Sequence, residues 1–466
     1  MSSTNELYND YQRGESTALA PTWRELAARD SKPLPKILLE DSSPNLGSEK
    51  IPPERYTSYE FHRREVEKVW KRSWQVACRE EEIPGVGDHQ VYEVAGLSFL
   101  IVRTAPATIK GYWNVCLHRG RRLVDHSGCA AKTFRCGYHA WTWDTDGKLV
   151  FYPGQWDFPD VVPQERHLRQ VQCDTWGGFV FINPDLEAPP LSEHLGSLRK
   201  HFERWPLERR FTLWHVRKTI RANWKIAMEA FLEGYHVVAT HPQIHTSVAE
   251  HAAQYDVYDE GNAHFSRSVT PSGIPSKWAK KATALDAIAD VWAVLSGLRQ
   301  DEAGNLPPEI KDRASLAEWR RQAMKSMTRA NYSSLSDAEM LDSFQYYLFP
   351  NFCPWYGEGL PLSYVFRPNA DSPDTSFFDV WMLIRAPDEG PAPPAPKMVI
   401  MGPDDPFEPI IGAMGTVFDQ DDQNMPFVQI GMKSWPGSPE GCTLSRYQEI
   451  RIRHYHQVLM KKLAQP

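Results

Sequence analysis

Cys116, His118, Cys136 and His139 limit what this chain can fold into more tightly than any other residues in it. They read Cys-x-His, a gap of seventeen residues, then Cys-x-x-His. Two thiolates and two imidazoles presented on two loops suit an inorganic centre held by a small β framework. A zinc ion takes such donors, and so does a [2Fe–2S] cluster with both Cys on one iron and both His on the other. Zinc sites more often keep like ligands together, as Cys-x2–4-Cys followed by His-x3–5-His. Here the order alternates, which fits a cluster whose two irons are each held from both loops. Replacing two charged thiolates by neutral imidazoles raises the potential of a cluster, so it suits passing electrons to an oxidising partner.

The flanking residues make the motif specific. Cys116-Leu-His-Arg-Gly120 and Phe134-Arg-Cys-Gly-Tyr-His-Ala-Trp-Thr-Trp143 resemble the two cluster loops of Rieske proteins, in particular those of Rieske non-heme iron oxygenases. Gly120 and Gly137 are expected to let backbone N–H groups approach the sulfurs. Asp144-Thr-Asp-Gly147 reads as a hairpin turn. Of the seven cysteines, the five outside the motif (Cys78, Cys129, Cys173, Cys353 and Cys442) are scattered and odd in number, so no disulfide framework is implied. Cys129, between the loops, is expected to be a small packed residue.

At 466 residues the chain is long for one domain and suggests two or three. A net charge of −7 argues against nucleic acid as a partner, which needs a basic face. No apolar run approaches the roughly 18 residues that span a bilayer. The first residues lack a basic and apolar leader, so a cytoplasmic location is expected. Residues 1–55 are polar and Pro-containing, an expected arm with short helices. A helix is expected from Ser58, where Val66, Val69, Trp70 and Trp74 fall at helical spacing. Residues from about 75 to 185 read as short strands separated by turns. After Asn183-Pro184, expected helices around 190–205, 223–240, 275–300 and 308–345 alternate with strand-like segments at 209–221, 344–349, 362–367 and 376–385. The Pro-rich 386–396 reads as a loop, and a last helix is expected over 439–463. The domain reading is an N-terminal arm and helix (1–70), a cluster-bearing β domain (71–190) and a larger α+β domain (191–466).

A second site is legible in Asn223-Trp-Lys-Ile-Ala-Met-Glu-Ala-Phe-Leu-Glu-Gly-Tyr-His-Val-Val-Ala-Thr-His-Pro242. His236 and His241 are five residues apart, about 140° around a regular helix, so both face one metal only if the helix ends between them. Pro242 supplies the reason, since the residue before proline disfavours the α region. His236 is thus expected on the last helical turns and His241 just beyond; His245 is an alternative ligand by proximity. The absence of His-Glu-x-x-His disfavours a zinc peptidase.

This segment resembles the mononuclear-iron motif of Rieske oxygenases, where two His and a distant carboxylate form a facial triad. The resemblance implies that the third ligand lies in Phe418-Asp-Gln-Asp-Asp-Gln-Asn-Met-Pro-Phe-Val-Gln-Ile-Gly431, with Asp421 at the ligand position, Asp422 the alternative and Asp419 less favoured. It makes Glu233 the carboxylate that links an iron histidine to a Rieske histidine of the neighbouring subunit. Many ring-dihydroxylating members carry Asp there, and many carry Asn where this chain has Ala230. Residues 250–350 carry no chemical motif; in the family that stretch helps form the substrate pocket.

The resemblance therefore implies the catalytic α subunit of an aromatic-ring-hydroxylating Rieske oxygenase. Its fold would be a small all-β [2Fe–2S] domain plus an α+β catalytic domain of helix-grip, START-like type. Its cofactors would be the Rieske cluster and a mononuclear Fe(II). It would work as a trimer, with or without a β subunit, on O₂ and a small organic substrate. The alternatives are monooxygenation or dealkylation of an amine, ether or quaternary ammonium compound, and a simple electron carrier. No Gly-x-Gly-x-x-Gly fingerprint occurs, so NAD(P)H should bind a separate reductase or ferredoxin system. Arg119, Arg121 and Arg122 read as solvated charge, with donor docking the other reading.

Overall fold

The strand Phe179–Asn183 is buried along its whole length, and Leu97–Ala105 along its middle, which places both inside a sheet rather than at its edge. They belong to a six-stranded antiparallel sheet in the order Gln75–Arg79, Phe179–Asn183, Gln170–Trp176, Thr108–Trp113, Leu97–Ala105, His89–Val94. A small sheet of Thr133–Arg135, Thr142–Asp144 and Leu149–Phe151 stands beside it. The structure, a computed structural model, describes residues 22–298, 306–436 and 441–465. Residues 1–21 of the arm expected over 1–55, the last two of the 275–300 stretch and the first two of the 439–463 stretch fall outside those residues; the two helices are shorter than expected, Ala284–Leu295 and Ile450–Ala464.

The larger sheet has eight strands: Gln254–Glu260, Ala263–Thr270, Ser343–Leu348, Phe352–Tyr356, Leu362–Pro368, Ser376–Arg385, Arg210–Ile220 and Val399–Met401. All neighbours are antiparallel except the last pair. The C-terminal helix Ile450–Ala464 packs on its first two strands, and the long helix Ala413–Lys433 packs near Trp224–Glu229. This is the α+β architecture expected. A buried ion pair, Lys225 Nζ to Glu65 at 2.8 and 2.9 Å, joins Trp224–Glu229 to the helix Tyr59–Glu65.

Several local expectations change. The helix capped by Ser58 widens into a π turn at Val66–Trp70, where Lys71 N–H reaches back to Val66 O, and Trp74 lies beyond it. The stretch 190–205 is broken at Gly196, and 308–345 divides into Arg313–Thr328 and Asp337–Leu341. The strands Gln254–Glu260 and Ala263–Thr270 replace what had no readable pattern. Both faces of Ala263–Thr270 are buried, so polar and apolar residues do not alternate, and Arg267 is satisfied inside by Asp256 at 2.6 Å. Cys129, expected to be packed, is exposed; its excursion is tied down by backbone bonds between Gly128 and His89 instead.

The two large sheets meet across a buried charge cluster centred on Asp379. Its Oδ1 accepts from Arg217 Nε at 2.7 Å and His215 Nε2 at 3.1 Å, and Arg367 binds Oδ2. Arg367 Nε also donates to the Glu93 carbonyl at 2.8 Å, and Arg79 donates to the Arg210 carbonyl at 2.8 Å, which ties one sheet to the other. Burial alone would raise the Asp379 pKa, but the charges of Arg217 and Arg367 and the His215 bond hold it far below the usual carboxylate range. A group depressed in this way contributes stability that is fully present above its unfolded pKa of about 3.9 and is lost as pH falls below it. Asp379→Asn is expected to cost about 3–5 kcal/mol at neutral pH, because it leaves buried cations unpaired. Chemical denaturation would read this as a lower midpoint, together with a shallower loss of stability below pH ~4 than the parent shows.

Candidate metal centres and substrate cavity

The two Cys–His loops have the same backbone. In the first, Cys116 N–H donates to Arg121 O at 2.8 Å and Gly120 N–H to Cys116 O at 2.9 Å. In the second, Cys136 N–H donates to Trp141 O at 2.8 Å and Ala140 N–H to Cys136 O at 3.0 Å. Gly120 has φ +76° and its counterpart Ala140 has φ +59°, so each loop closes through a left-handed residue. Gly137 is not in that region; its Cα faces the Arg121 guanidinium instead. The N–H groups of His118 and Arg119 are directed at the Cys116 sulfur.

Cys116 and Cys136 are buried and unbridged, and the His118 and His139 rings lie 4.5 Å apart. His118 stacks on Trp141 at 5.0 Å and 2°, and its Nδ1 is buried with no hydrogen-bond partner. Among the described residues, no three of these four side chains bring ligand atoms within 4.8 Å of one another, as a single ion needs. Two thiols and two imidazoles so placed fit the two irons of a [2Fe–2S] cluster, one pair to each. The arginine run is largely neutralised: Arg121 pairs with Asp125 at 2.8 Å, Arg122 with Glu93, and Arg119 lies over the Tyr138 ring.

The second centre forms where the expected 223–240 helix breaks. The helix Trp224–Glu229 is capped by Asn223, tightens through bonds from Phe231 to Met228 and from Leu232 to Glu229, and stops. A short helix, Val237–Thr240, then begins after His236 and ends at His241, whose φ of −124° is not helical. So His236 stands at the start of the second helix rather than on the last turns of the first. His241 lies just past the helix end, before Pro242, as Pro requires. Their rings are 5.1 Å apart.

Asp421 meets them from the helix Ala413–Lys433, whose inward face includes Phe418, Asp421, Met425 and Gln429. Its Oδ1 is 2.9 Å from His241 Nε2 and 3.5 Å from His236 Nε2, and one ligand atom from each of the three lies within 4.8 Å of the others. The neighbouring carboxylates are engaged elsewhere. Asp422 pairs with Lys218 at 2.8 Å, and Asp419 accepts from the backbone of Phe407 and Glu408. His245 turns away, its Nε2 3.1 Å from Val237 O.

Each histidine is held by its other nitrogen. His236 Nδ1–H donates to Glu233 Oε1 at 2.7 Å, and its backbone N–H donates to Glu233 Oε2 at 3.0 Å. Burial disfavours the His236 cation, but the bond to Glu233 and the charges of Glu233 and Asp421 outweigh it and raise the pKa. His241 Nδ1–H donates to Gln420 Oε1 at 2.8 Å, and Gln243 donates to the same oxygen at 2.6 Å. Gln420 and Gln243 escaped the sequence reading, although Gln420 directly precedes Asp421. They supply hydrogen bonding beside the His236–His241–Asp421 trio where Ala230 has none.

A cavity of about 640 Å³ opens beside the triad. Val291, Leu295 and Leu298 close one side and Phe231, Tyr364 and Phe418 another. Its floor is a cross-strand row, Tyr255–Ser268–Gln345–Trp355, set by the register of four strands. Buried Arg451 on the C-terminal helix donates to Ser268 Oγ and Gln345 Oε1, both at 2.7 Å, and burial lowers its pKa to about 10. Glu250 also lines the cavity, with Oε1 accepting from Ser276 at 3.0 Å, and burial raises its pKa.

The catalytic-domain model for ring hydroxylating alpha subunits matches residues 197–465, and the Rieske [2Fe-2S] domain model matches residues 73–162. The chain belongs to the ring-hydroxylating alpha-subunit family and carries a Rieske [2Fe–2S] domain before its catalytic domain. It is 32% identical over 201 residues to the carnitine monooxygenase oxygenase subunit of Escherichia coli (strain K12), covering 42% of this chain and 54% of that one. It is 31% identical over 198 residues to the biphenyl 2,3-dioxygenase alpha subunit of Rhodococcus jostii (strain RHA1), covering 41% and 43%. The chain thus spans about half the length of the curated relatives it matches. Its fold is similar to a quaternary ammonium Rieske monooxygenase solved with L-carnitine (TM-score 0.60, 17% identity, 89% of this chain and 95% of that one). It is also similar to naphthalene 1,2-dioxygenase with indole bound (TM-score 0.62, 17% identity, 91% and 94%). At such identities the shared property is the fold. Among the described residues, no helix is long and apolar enough to cross a membrane.

Removing the bond that orients His241 should loosen the metal without removing a ligand. Gln420→Leu is expected to weaken iron retention at the triad about 10–100-fold while sparing the cluster. Iron titration of the metal-depleted triad, with the cluster read by its visible spectrum, checks this.

Proposed function

We propose that this chain is a terminal oxygenase subunit that hydroxylates an organic, aromatic substrate with O₂, using electrons from a separate ferredoxin or reductase. The observation that carries the reading is the convergence of His236, His241 and Asp421 beside an apolar cavity, on a chain that also holds the paired Cys–His loops. In this reading Cys116, Cys136, His118 and His139 hold the [2Fe–2S] cluster, and His236, His241 and Asp421 hold the mononuclear Fe(II). A two-His, one-carboxylate iron supplies O₂ activation when bound, because that ligand set leaves coordination positions open.

The chain's own residues supply the rest. Glu233 and Gln420 each accept the Nδ1–H of a histidine, which leaves both Nε2 lone pairs facing Asp421. The aliphatic and aromatic walls exclude water and hold an apolar ring by contact area. Ser268 and Gln345, fixed by Arg451, set polar groups on the floor that select the orientation of a substrate with a polar substituent. Glu233, bonded to His236, serves as the bridge to a Rieske histidine of a neighbouring copy. That role makes the working unit a homotrimer, with or without a β subunit, and its place the cytoplasm.

A second reading is N-dealkylating monooxygenation of a quaternary ammonium substrate. It is favoured by the carnitine monooxygenase relative and by the aromatic rings of Phe231, Trp355 and Tyr364 on the cavity wall, since aromatic faces attract such cations. Incubating the reduced enzyme with ¹⁸O₂ and parallel sets of aromatic and N-methyl compounds separates the two. Two labelled oxygens in a ring diol support aromatic dioxygenation. One labelled oxygen with loss of an N-substituent supports the second reading. No labelled product from any compound contradicts both.

A further inference from the structure

The edge hairpin of the eight-stranded sheet carries a second convergence of metal-binding side chains. Asp259 and His264 are cross-strand partners on Gln254–Glu260 and Ala263–Thr270, and His454 reaches them from the C-terminal helix Ile450–Ala464. One ligand atom from each lies within 4.8 Å of the others, the same closeness that the catalytic trio shows. The pair Asp259/His264 is four register positions from the Tyr255/Ser268 pair on the cavity floor, roughly 13 Å along the strands at about 3.3 Å per residue. It is a separate place in the fold.

The two imidazoles here are not satisfied as buried histidines usually are. His454 is 3% exposed, and neither of its ring nitrogens has a hydrogen-bond partner. His264 is 8% exposed; its Nδ1 stands 2.7 Å from Asp259 Oδ1, yet makes no aligned hydrogen bond to it. A neutral imidazole has one donor and one acceptor, and burying both unmade is costly. Three ligand atoms within 4.8 Å of one another, with both nitrogens of buried His454 unpartnered, are close enough to share one cation. The Asp259 side chain is 43% exposed, so one side of that point is open to water. Its Oδ2 is held by Lys461 Nζ at 2.7 Å, which orients the carboxylate. Lys462 also acts on His264, and the two cations lower the affinity of the site without removing a ligand.

We propose that Asp259, His264 and His454 form a binding site for one divalent first-row metal ion, best matched by zinc, that clamps the C-terminal helix to the edge hairpin. Two imidazole nitrogens, one carboxylate oxygen and a water make a usual four-coordinate zinc set. The clamp would act on the same helix that supplies Arg451 to the cavity floor.

The test uses iron-loaded full-length enzyme, exposed to excess Zn(II) at neutral pH, desalted and assayed for zinc and iron by elemental analysis. One zinc per chain retained with no loss of iron is expected, together with a zinc-dependent rise in Tm. His454→Ala should abolish both effects. Asp259→Asn, a change at a partly exposed position that the fold can bear, should weaken zinc at least about ten-fold and leave iron content unchanged. Three results overturn the proposal: no zinc retained by the parent, zinc that appears only as iron is lost, or equal zinc in Asp259→Asn and the parent.

Discussion

One carboxylate sets the geometry of the catalytic half of this protein. Glu233 takes the backbone N–H of His236 with one oxygen and its ring Nδ1–H with the other. The first bond stabilises the turn that interrupts the helix after Glu229, and the second fixes which ring nitrogen remains a lone-pair donor. On an unbroken helix His236 and His241 would diverge by about 140°. Because the short helix Val237–Thr240 ends at His241, before Pro242, both rings close on Asp421, which the long helix Ala413–Lys433 presents on its buried face.

That arrangement depends on the sheet behind it. The register of the eight strands puts Tyr255, Ser268, Gln345 and Trp355 in one row under the cavity. The Asp379 cluster joins the same sheet to the strands that carry the Cys–His loops. Its cations would be costly if left alone, so the cluster holds the two parts in one relative position. Each candidate metal centre is therefore supported by bonds to its side chains and by a buried network that sets the sheet beneath it.

What could be read from the sequence follows from how local each signal is. The Cys–His loops are short and self-contained, so spacing and flanking residues were enough. Pro242 announced that His241 leaves the helix, but the earlier break after Glu229 was hidden, because it begins before Gly234 and is held by bonds from His236 to the Glu233 side chain. Asp421 could be separated from Asp419 and Asp422 only by its place in the family pattern. The structure separates them physically, since Lys218 occupies Asp422 and a backbone turn occupies Asp419. The helix around these carboxylates was not legible, because Gly415 and Pro426 lie within it. The hairpin of residues 254–270 was missed for a different reason: with both faces buried over most of its length and Arg267 paired internally with Asp256, it shows no alternation. Arg451 was invisible for a related cause, a charged side chain buried inside the fold that bonds only to groups there.

In the proposed function Glu233 connects two iron centres rather than only supporting a helix turn. Glu233→Gln keeps the length of the side chain and one acceptor oxygen for His236, but replaces the other acceptor by an N–H₂ donor and removes the charge. The decisive measurement is substrate turnover by this variant, beside its iron content and cluster spectrum. Turnover is expected to be abolished while the cluster and the mononuclear iron both remain bound. Full turnover with both centres occupied would contradict it.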